Sequence, residues 1–407
     1  MSSKMAASSP GTRRPAILGG DALFEEPVYI THPRLPDRAS LHRHIDSIYE
    51  SGKLTNNGPL VQELEKKLTD RLEAGFCAAF CNGTVALQVA LRALDLTGEV
   101  ITTPFTFPAT ASSIEWNGLT PVFCDIDART WNLDPARASE LVTDRTTALL
   151  PVHVFGNPCD VEALDGLARR RGLRVMYDAA HAFAVRHRGR PIGSWGDLSV
   201  FSFHATKLFH TCEGGAIVAA TDRLAGQVRL LRNFGIVNEE EVQGVGLNGK
   251  LSEIHSAVGL GVLDRVDLEI ADRGALDARY RDGLAGLEGI GFQQMAAETE
   301  CNYSYFAVEI DEDAFGLSRD EVHEALRAER IISRKYFYPL CSSNPSYRDL
   351  PSAQPSNLPN ATRLAARVLC LPLYGDLAAA DVDRICEGLH RIRACAAEIR
   401  RRGGSRA

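Results

Sequence analysis

The residues most able to do chemistry in this chain are a lysine and an aspartate, each placed just after an apolar segment. Lys207 follows Phe201-Ser202-Phe203-His204-Ala205-Thr206, and Asp178 follows Val175-Met176-Tyr177. A lysine amine that is kept neutral by burial can form an imine with a carbonyl cofactor. A carboxylate can hold a pyridinium nitrogen protonated. The pair therefore predicts a pyridoxal 5'-phosphate site, with Lys207 as covalent tether and proton carrier.

A candidate phosphate-binding segment lies upstream of the aspartate. Asn82-Gly83-Thr84 follows an apolar run and opens a segment with helical apolar spacing. The first N–H groups of a helix are free and its dipole is positive at this end, so such a start suits a phosphate. Ser202 could donate a further hydrogen bond. The hydroxyls of Thr84 and Ser202 suit capping or turn roles equally well.

Two more residues could contact the cofactor ring. His181 lies three residues after Asp178 and could hydrogen-bond the cofactor's phenolic oxygen, or satisfy a backbone group instead. Phe107, in Pro104-Phe105-Thr106-Phe107-Pro108, comes at the end of a predicted strand. Its ring could cover the cofactor face, although most such phenylalanines are core residues.

Short apolar runs alternate with amphipathic segments from about residue 73 onward. This pattern is typical of strands and helices wound into a mostly parallel sheet, and so predicts an α/β large domain. We predict strands at residues 77–81, 99–102, 120–125, 147–154, 174–178, 198–203 and 215–219, and helices at 83–94 and 160–170. Ligands bind at the carboxyl ends of such strands, where Asp178 and Lys207 then lie.

The apolar pattern changes after residue 252. Helices are predicted at 253–267 and 270–287, then a strand at 303–309 and a terminal helix at 381–401. We therefore expect three parts: a flexible N-terminal tail over residues 1–20, a large cofactor-binding domain over 21–270, and a smaller C-terminal α/β domain over 271–407.

Composition narrows the class of protein. With 407 residues, 45% hydrophobic and 24% charged, the chain suits a globular protein of two domains. A net charge of -7 argues against nucleic-acid binding. The 10 cysteines lack zinc-site spacing and are expected to be reduced thiols in the cytoplasm, without a metal. No run approaches the roughly 20 apolar residues of a membrane span, so no membrane partner is expected.

Six stretches carry a resemblance to a known family. They are Ser51-Gly52-Lys53-Leu54-Thr55-Asn56-Asn57-Gly58-Pro59, Asn82-Gly83-Thr84, Phe105-Thr106-Phe107-Pro108-Ala109-Thr110, Val152-His153-Val154-Phe155-Gly156, Asp178-Ala179-Ala180-His181 and Ser202-Phe203-His204-Ala205-Thr206-Lys207. On these residues the chain resembles the DegT/DnrJ/StrS family of sugar aminotransferases, from about residue 46 to near its C-terminus. The resemblance implies the fold-type I architecture of aspartate aminotransferase and pyridoxal 5'-phosphate as cofactor.

The resemblance also implies roles for single residues. The implied cofactor contacts are Lys207 as the imine-forming lysine, Asp178 as ring-nitrogen partner, His181 beside the phenolic oxygen, Phe107 as stacking ring, and Gly83, Thr84 and Ser202 at the phosphate. Members are homodimers with shared sites, and Asn248 matches the asparagine lent to the neighbour's phosphate. In the family this asparagine is followed by an aromatic residue and an arginine, and here the two positions are Gly249 and Lys250. A lysine cannot make the paired hydrogen bonds of an arginine guanidinium.

The implied reaction moves an amino group, commonly from L-glutamate, to a keto group of a nucleotide-linked sugar in deoxyaminosugar biosynthesis, for antibiotics or polysaccharides. We expect His204, Lys335 and Tyr336 to contact this substrate, although the segment from Ser333 to Leu340 could also be an exposed loop. The sequences of residues 152–160 and 334–340 resemble those of enzymes that aminate C4 of dTDP-4-keto-6-deoxyhexose, giving dTDP-4-amino-4,6-dideoxyglucose.

Two alternatives stay open at this point, and a third activity of the family is disfavoured. Amination at C3 of a related keto sugar would use the same cofactor chemistry. A branch of the family that has histidine in place of the lysine performs dehydration, and the presence of Lys207 favours transamination. A non-catalytic regulator that binds pyridoxal phosphate could keep the fold without turnover. Such a regulator would not need the proton carrier.

Overall fold

The computed structural model describes residues 14–404 of the chain. Its strands are β1 (Cys77–Phe80), β2 (Glu99–Thr102), β3 (Thr120–Phe123), β4 (Thr146–Leu150), β5 (Arg174–Asp178), β6 (Arg186–His187), β7 (Arg190–Pro191), β8 (Leu198–Ser202), β9 (Gly215–Ala219), β10 (Ile236–Asn238), β11 (Glu241–Val242), β12 (Ile290–Phe292), β13 (Thr299–Glu300), β14 (Phe306–Ile310) and β15 (Val368–Leu371).

Helices connect and cover these strands. They are α1 (Arg38–Ser51), α2 (Pro59–Arg71), α3 (Gly83–Ala93), α4 (Pro108–Trp116), α5 (Pro135–Leu141), α6 (Val161–Arg171), α7 (Asp222–Arg232), α8 (Glu253–Leu263), α9 (Val266–Gly283), α10 (Glu312–Phe315), α11 (Arg319–Ala328), α12 (Pro359–Arg367), α13 (Ala379–Ala394) and α14 (Ala396–Gly404). None of the helices described between residues 14 and 404 is long and apolar enough to cross a membrane.

The central sheet has the strand order β1-β9-β8-β5-β4-β2-β3. Strands from β8 to β3 run parallel to one another, and β9 is antiparallel to both of its neighbours. Each of these strands was predicted from the sequence, and the α/β fold class is confirmed. The predicted strand at 120–125 ends at Phe123 and the one at 147–154 ends at Leu150.

Both faces of the central sheet are buried, which explains why its strands read as continuous apolar runs. One face packs on α2, α6 and α8, with Leu64, Leu164 and Leu260 fully enclosed. The other packs on α3 and α7. With both faces covered by helices, the strand ends form the open edge of the sheet, and Asp178 lies there beside Val200 of β8.

A second core surrounds the antiparallel sheet β12-β14-β15. It takes Tyr280 from α9, Phe306 from β14, Leu326 from α11 and Leu389 from α13. The prediction of a single helix at 381–401 is wrong, because the structure has two helices there: α13 ends at Ala394 and α14 begins at Ala396.

Residues near the N-terminus belong to this second core. Leu18, Leu23, Phe24 and Val28 are buried in it, and the N–H groups of Ala16 and Leu23 donate to the carboxylate of Glu329. The expected tail over 1–20 is therefore wrong for 16–20, because these residues are held by apolar burial and by a buried carboxylate. Residues 1–13 of that tail lie outside the described residues.

Helix α9 passes from one core to the other. Val266 is enclosed by the first core and Ile270 packs against it, while Leu276 and Tyr280 belong to the second. We propose the domain boundary between residues 270 and 276 of α9, close to the predicted residue 270. The N-terminal segment 16–28 then belongs to the smaller domain, which chain order alone did not indicate.

Candidate active site

A cavity of about 250 Å³ opens at the carboxyl ends of β5 and β8. Its lining combines the end of β5 with the residues after it, the end of β8 with the residues after it, the start of α3, and residues of the smaller domain. From β5 and β8 these are Asp178, His181, Ser202, His204 and Lys207. These two strands are parallel neighbours, so the ends of both reach the same edge of the sheet. Asp178 and Lys207, which are far apart in the sequence, therefore line the same cavity.

Lys207 extends into this cavity from the turn that follows β8. Part of its side chain faces the cavity, and protein surrounds the amine on its other sides. Loss of water contact lowers the pKa of Lys207 to about 8, the positive charge of Arg334 lowers it too, and Asp178 opposes the shift. Roughly a tenth of the amine is therefore neutral at pH 7, far more than for an ordinary lysine, and the neutral form is the one that attacks a carbonyl.

Asp178 is the last residue of β5 and only 4% exposed. Thr110 of α4 donates its hydroxyl to Oδ2 at 2.7 Å, and the N–H of Ala180 donates to Oδ1 at 3.0 Å. Burial raises the pKa of Asp178 above its ordinary value, while these two donors and Lys207 lower it. A buried carboxylate held this firmly gains most from a cationic partner inside the cavity.

His181 has a defined tautomer because one ring nitrogen is already an acceptor. Nδ1 accepts the N–H of Phe155 at 3.3 Å, so the proton belongs on Nε2. The ring lies parallel to that of Phe337, with centroids 5.8 Å apart. Burial holds the pKa of His181 well below its usual range, with a further lowering from Lys207. His181 therefore serves as a neutral donor from Nε2.

The start of α3 forms a cradle beside Ser202. The side chain of Asn82 caps the helix by accepting the N–H of Val85 at 2.8 Å, which leaves the N–H groups of Gly83 and Thr84 unused by the cap. A Cβ at Gly83 would lie 3.0 Å from Cβ of Ser202, and one at Gly215 would lie 2.9 Å from backbone atoms of Gly83. Glycine at both positions therefore lets β8, β9 and the start of α3 approach this closely.

Phe107 is the N-cap residue of α4 and lines the cavity with 52% of its surface exposed. Its neighbour Phe105 is instead fully buried. An apolar ring left exposed in the cavity that holds Lys207 and Asp178 is available to cover a flat ligand, and we propose that Phe107 does so.

The smaller domain closes the cavity with residues that the sequence analysis did not select. The ring of Tyr305 lies 5.9 Å from Nζ of Lys207 and 4.9 Å from the ring of His181. Arg334 and Phe337 line the same space. Tyr305 lies within the strand predicted at 303–309, just before the observed β14, and Arg334 lies within the predicted substrate loop. Both segments were thus predicted, but no local feature distinguished these two residues from their neighbours.

The three predicted substrate residues are not equivalent in the structure. His204 is exposed at the cavity, with Nδ1 2.9 Å from Oγ1 of Thr206 and Nε2 3.6 Å from Glu213. Tyr336 lines this cavity and also an adjoining one of about 420 Å³. Lys335 lines only the adjoining cavity, because its amine turns to Asp320 at 2.6 Å.

Asn248 does not line its own chain's cavity. It is exposed, and its Oδ1 accepts the amine of Lys250 at 2.8 Å, which leaves the amide N–H groups free to donate. Lys250 in turn lies 4.6 Å above the ring of Phe234. This placement suits donation to a site outside the chain.

The residues present fit pyridoxal phosphate. They supply an amine, a buried carboxylate, a neutral imidazole donor, an exposed aromatic face, and an open glycine corner at a helix start. When bound, the cofactor supplies a carbonyl for the lysine and an electron sink for breaking a bond next to nitrogen. The fold and this site define a pyridoxal-phosphate-dependent transferase of fold type I.

Comparison with known proteins identifies the family. The model of the DegT/DnrJ/EryC1/StrS aminotransferase family matches residues 37–390, and the chain belongs to this family. It is 43% identical over 356 residues to the dTDP-4-amino-4,6-dideoxy-D-glucose transaminase of Escherichia coli, covering 87% of this chain and 95% of that protein. The Shigella dysenteriae protein of the same name is 41% identical over 370 residues, covering 91% and 100%.

A solved structure of a similar protein supports the same family and fold. The crystal structure of DesI in the presence of its TDP-sugar product superposes with a TM-score of 0.89 at 41% identity, and the match covers 96% of this chain and 98% of DesI. The predicted family, fold and cofactor are thus confirmed, and the protein is a pyridoxal-phosphate-dependent aminotransferase.

Proposed function

We propose that this aminotransferase moves an amino group from an amino-acid donor, L-glutamate in the simplest case, to the C4 keto group of a nucleotide-linked 4-keto-6-deoxyhexose. The product is dTDP-4-amino-4,6-dideoxyglucose when the nucleotide is dTDP. The observation that carries transamination is the juxtaposition of Lys207, with its pKa lowered to about 8, and the buried carboxylate of Asp178 in one cavity.

Support for C4 comes from the named relatives, which share more than two fifths of their residues with this chain over almost their whole length. Amination at C3 would use the same lysine and aspartate, because the two reactions differ only in how the sugar is placed. The choice between them thus rests on similarity to the named transaminases, and it is open to direct measurement of the product.

The chain's own residues have separable tasks in this proposal. Lys207 is the proton carrier, since an amine with a pKa of about 8 can both accept and release a proton near neutral pH. Asp178 holds positive charge on the cofactor ring, and Thr110 orients its carboxylate. The phosphate group would be held at the α3 start by Gly83 and Thr84 with Ser202. His181 would donate from Nε2 to an oxygen on the ring.

The same arrangement disfavours a regulator that only binds the cofactor. Binding requires the α3 start and the ring contacts, but it does not require an amine of lowered pKa beside a buried carboxylate. Perturbed groups of this kind collect at catalytic sites. Both groups are present here, and the relatives named above are transaminases.

We further propose that the enzyme works as a homodimer with shared sites. The β10–β11 hairpin and its flanks expose Phe234, Ile236, Val237, Val242 and Val245, an apolar surface of the kind that marks protein contacts. Asn248 follows this surface and leaves its amide N–H groups free. A second copy seated on the hairpin would receive Asn248 at its phosphate site.

The function is tested by incubating the holoenzyme with L-glutamate and a panel of nucleotide-linked 4-keto and 3-keto sugars. Mass spectrometry detects the amino sugar, and NMR of the product locates the new amine. We expect product from the 4-keto-6-deoxyhexose with nitrogen at C4, and none with Lys207→Ala. Nitrogen at C3 would refute the C4 assignment. The absence of any product would refute the nucleotide-sugar assignment.

A further inference from the structure

The backbone of Arg334 is fixed by the smaller domain. Its N–H donates to the carbonyl of Cys370 at 3.0 Å, and its carbonyl accepts the N–H of Cys370 at 2.8 Å. Cys370 lies within β15, which is buried in the second domain. Although Arg334 follows α11 in a connecting segment, these two bonds hold it as firmly as a strand residue.

The side chain of Arg334 carries a charge that the chain does not neutralise. Its guanidinium lies 4.1 Å from the ring centre of Tyr336, and within residues 14–404 it has no carboxylate at ion-pair distance. The adjacent Lys335 differs, since Asp320 lies 2.6 Å from its amine. Of these two neighbouring cations, only Arg334 has its charge available for a ligand.

Arg334 lies at the junction of two cavities. It lines the cavity that holds Lys207, and also the adjoining cavity walled by Tyr338, Asn344 and Tyr347. Its charge reaches the reactive amine, because Arg334 is one of the groups that lower the pKa of Lys207. A ligand that spans both cavities would therefore lie near this guanidinium.

Both substrates of the proposed reaction carry oxyanions. The amino-acid donor has a carboxylate close to the atom that reacts, and the nucleotide sugar has a diphosphate farther from it. A guanidinium presents paired N–H donors that match either group. The contact with the ring of Tyr336 holds the guanidinium in place, and no carboxylate of residues 14–404 pairs with it, as an anion site requires.

We propose that Arg334, rather than the predicted Lys335, is the cation that binds a substrate oxyanion, either the donor's carboxylate or the acceptor's diphosphate. This inference rests on the proposed function. It assigns a specificity role to a residue of the smaller domain, placed between the cofactor cavity and the outer cavity. Arg334 is exposed, and its guanidinium is the binding group.

The test compares wild-type holoenzyme with Arg334→Gln and Arg334→Lys. L-Glutamate is titrated through the change it causes in the cofactor's absorbance, and thymidine diphosphate is titrated by calorimetry. The control is Arg327→Gln, since Arg327 on α11 is exposed, pairs only weakly with Glu324 at 3.9 Å, and lines neither cavity. Thermal melting of each variant shows that it is folded, and Arg334→Lys keeps the charge if Arg334→Gln does not fold.

We expect Arg334→Gln to raise the dissociation constant of at least one probe by about tenfold to a hundredfold, as loss of charge-assisted hydrogen bonds does. Arg334→Lys should recover part of the lost affinity. Raised salt should reduce the difference in dissociation constant between wild type and Arg334→Gln. A change for L-glutamate alone identifies the carboxylate, a change for thymidine diphosphate alone identifies the diphosphate, and a change for both identifies a shared site.

Unchanged affinity for both probes in a folded Arg334→Gln protein would overturn the inference while leaving the proposed function intact. A wild-type holoenzyme that binds neither L-glutamate nor thymidine diphosphate would overturn the proposed function itself, and the anion site with it. The two failures are thus distinguished by the wild-type titration.

Discussion

Thr110 donates its hydroxyl to Oδ2 of Asp178 at 2.7 Å, across the gap between α4 and the end of β5. A second hydrogen bond of 2.8 Å joins Thr110 to Thr106, so the hydroxyl is fixed from both sides. Thr110 is one of the groups that lower the pKa of Asp178 against the effect of burial. The charge of the carboxylate therefore depends on a residue that does not itself line the cavity.

Replacing Thr110 by valine should weaken catalysis through Asp178. The pKa of Asp178 should rise because one donor to the charged form is lost, and we expect kcat to fall about tenfold to a hundredfold, the worth of a hydrogen bond to a charged group. As the pH is lowered, kcat should begin to fall at a higher pH in the variant than in wild type. Thr69→Val is the control, because the hydroxyl of Thr69 donates to the carbonyl of Glu65 on α2, outside the cavity. An unchanged profile in Thr110→Val would contradict this role.

Asp178→Asn should be far more damaging than Thr110→Val. An amide cannot hold a protonated ring nitrogen, and we expect the rate to fall by roughly a thousandfold or more, about 4 kcal/mol in the barrier. Steady-state kinetics measures this, with Asp144→Asn in an exposed loop as the matched control. Activity near that of wild type would show that Asp178 is not the ring-nitrogen partner.

Lys207 should titrate far below an ordinary lysine in protein freed of cofactor. Because burial lowers the folded-state pKa to about 8, the neutral amine is present above that pH and is lost below it. The rate of Lys207 modification by an amine reagent, followed by peptide mass mapping, should reach half its maximum near pH 8 rather than near the usual value of about 10.4. Lys207→Ala removes the labelled peptide and serves as control. A midpoint at the usual value would refute the lowered pKa.

Gly83→Ala should weaken cofactor binding without unfolding the protein. The new Cβ would lie 3.0 Å from Cβ of Ser202, so the cradle at the start of α3 must shift. Equilibrium dialysis against pyridoxal phosphate should show reduced affinity. Gly226→Ala offers a matched control, because its Cβ would meet nothing within 4 Å on the exposed side of α7, and it should stabilise the helix by about 0.5–1 kcal/mol. Equal cofactor affinity in both variants would argue against the cradle.

The shared site of the proposed homodimer predicts complementation between two damaged chains. Lys207→Ala and Asn248→Ala should each be nearly inactive. A mixed dimer has one site with both lesions and one intact site, so random mixing should restore roughly a quarter of wild-type activity. Mixing Lys207→Ala with Asp178→Asn should restore nothing, since both residues lie in the cavity of one chain. A lack of recovery in the first mixture would place Asn248 outside the neighbour's site.

Local sequence was sufficient for the elements that carry the cofactor residues. The seven strands of the central sheet were predicted because both of their faces are buried, which makes each one an apolar run bounded by turn residues. Asp178 and Lys207 follow two of these runs, and the parallel direction of β5 and β8 brings them to one edge. Chemistry that depends on strand ends can thus be predicted from patterns of a few residues.

Contacts between distant segments decided the rest. Tyr305 and Arg334 enter the cavity only because the smaller domain packs against the sheet, and Leu18 joins the second core across more than 250 residues of chain. Whether Arg334 or Lys335 keeps a free charge depends on the position of Asp320, which no local spacing reveals. The sequence by itself predicted the cofactor and placed Lys207 and Asp178 after apolar segments, because burial of both sheet faces makes each strand a continuous apolar run. Only the tertiary structure decided which side chains of the smaller domain line the cavity with Lys207 and Asp178, because contacts between distant segments depend on how the two cores pack.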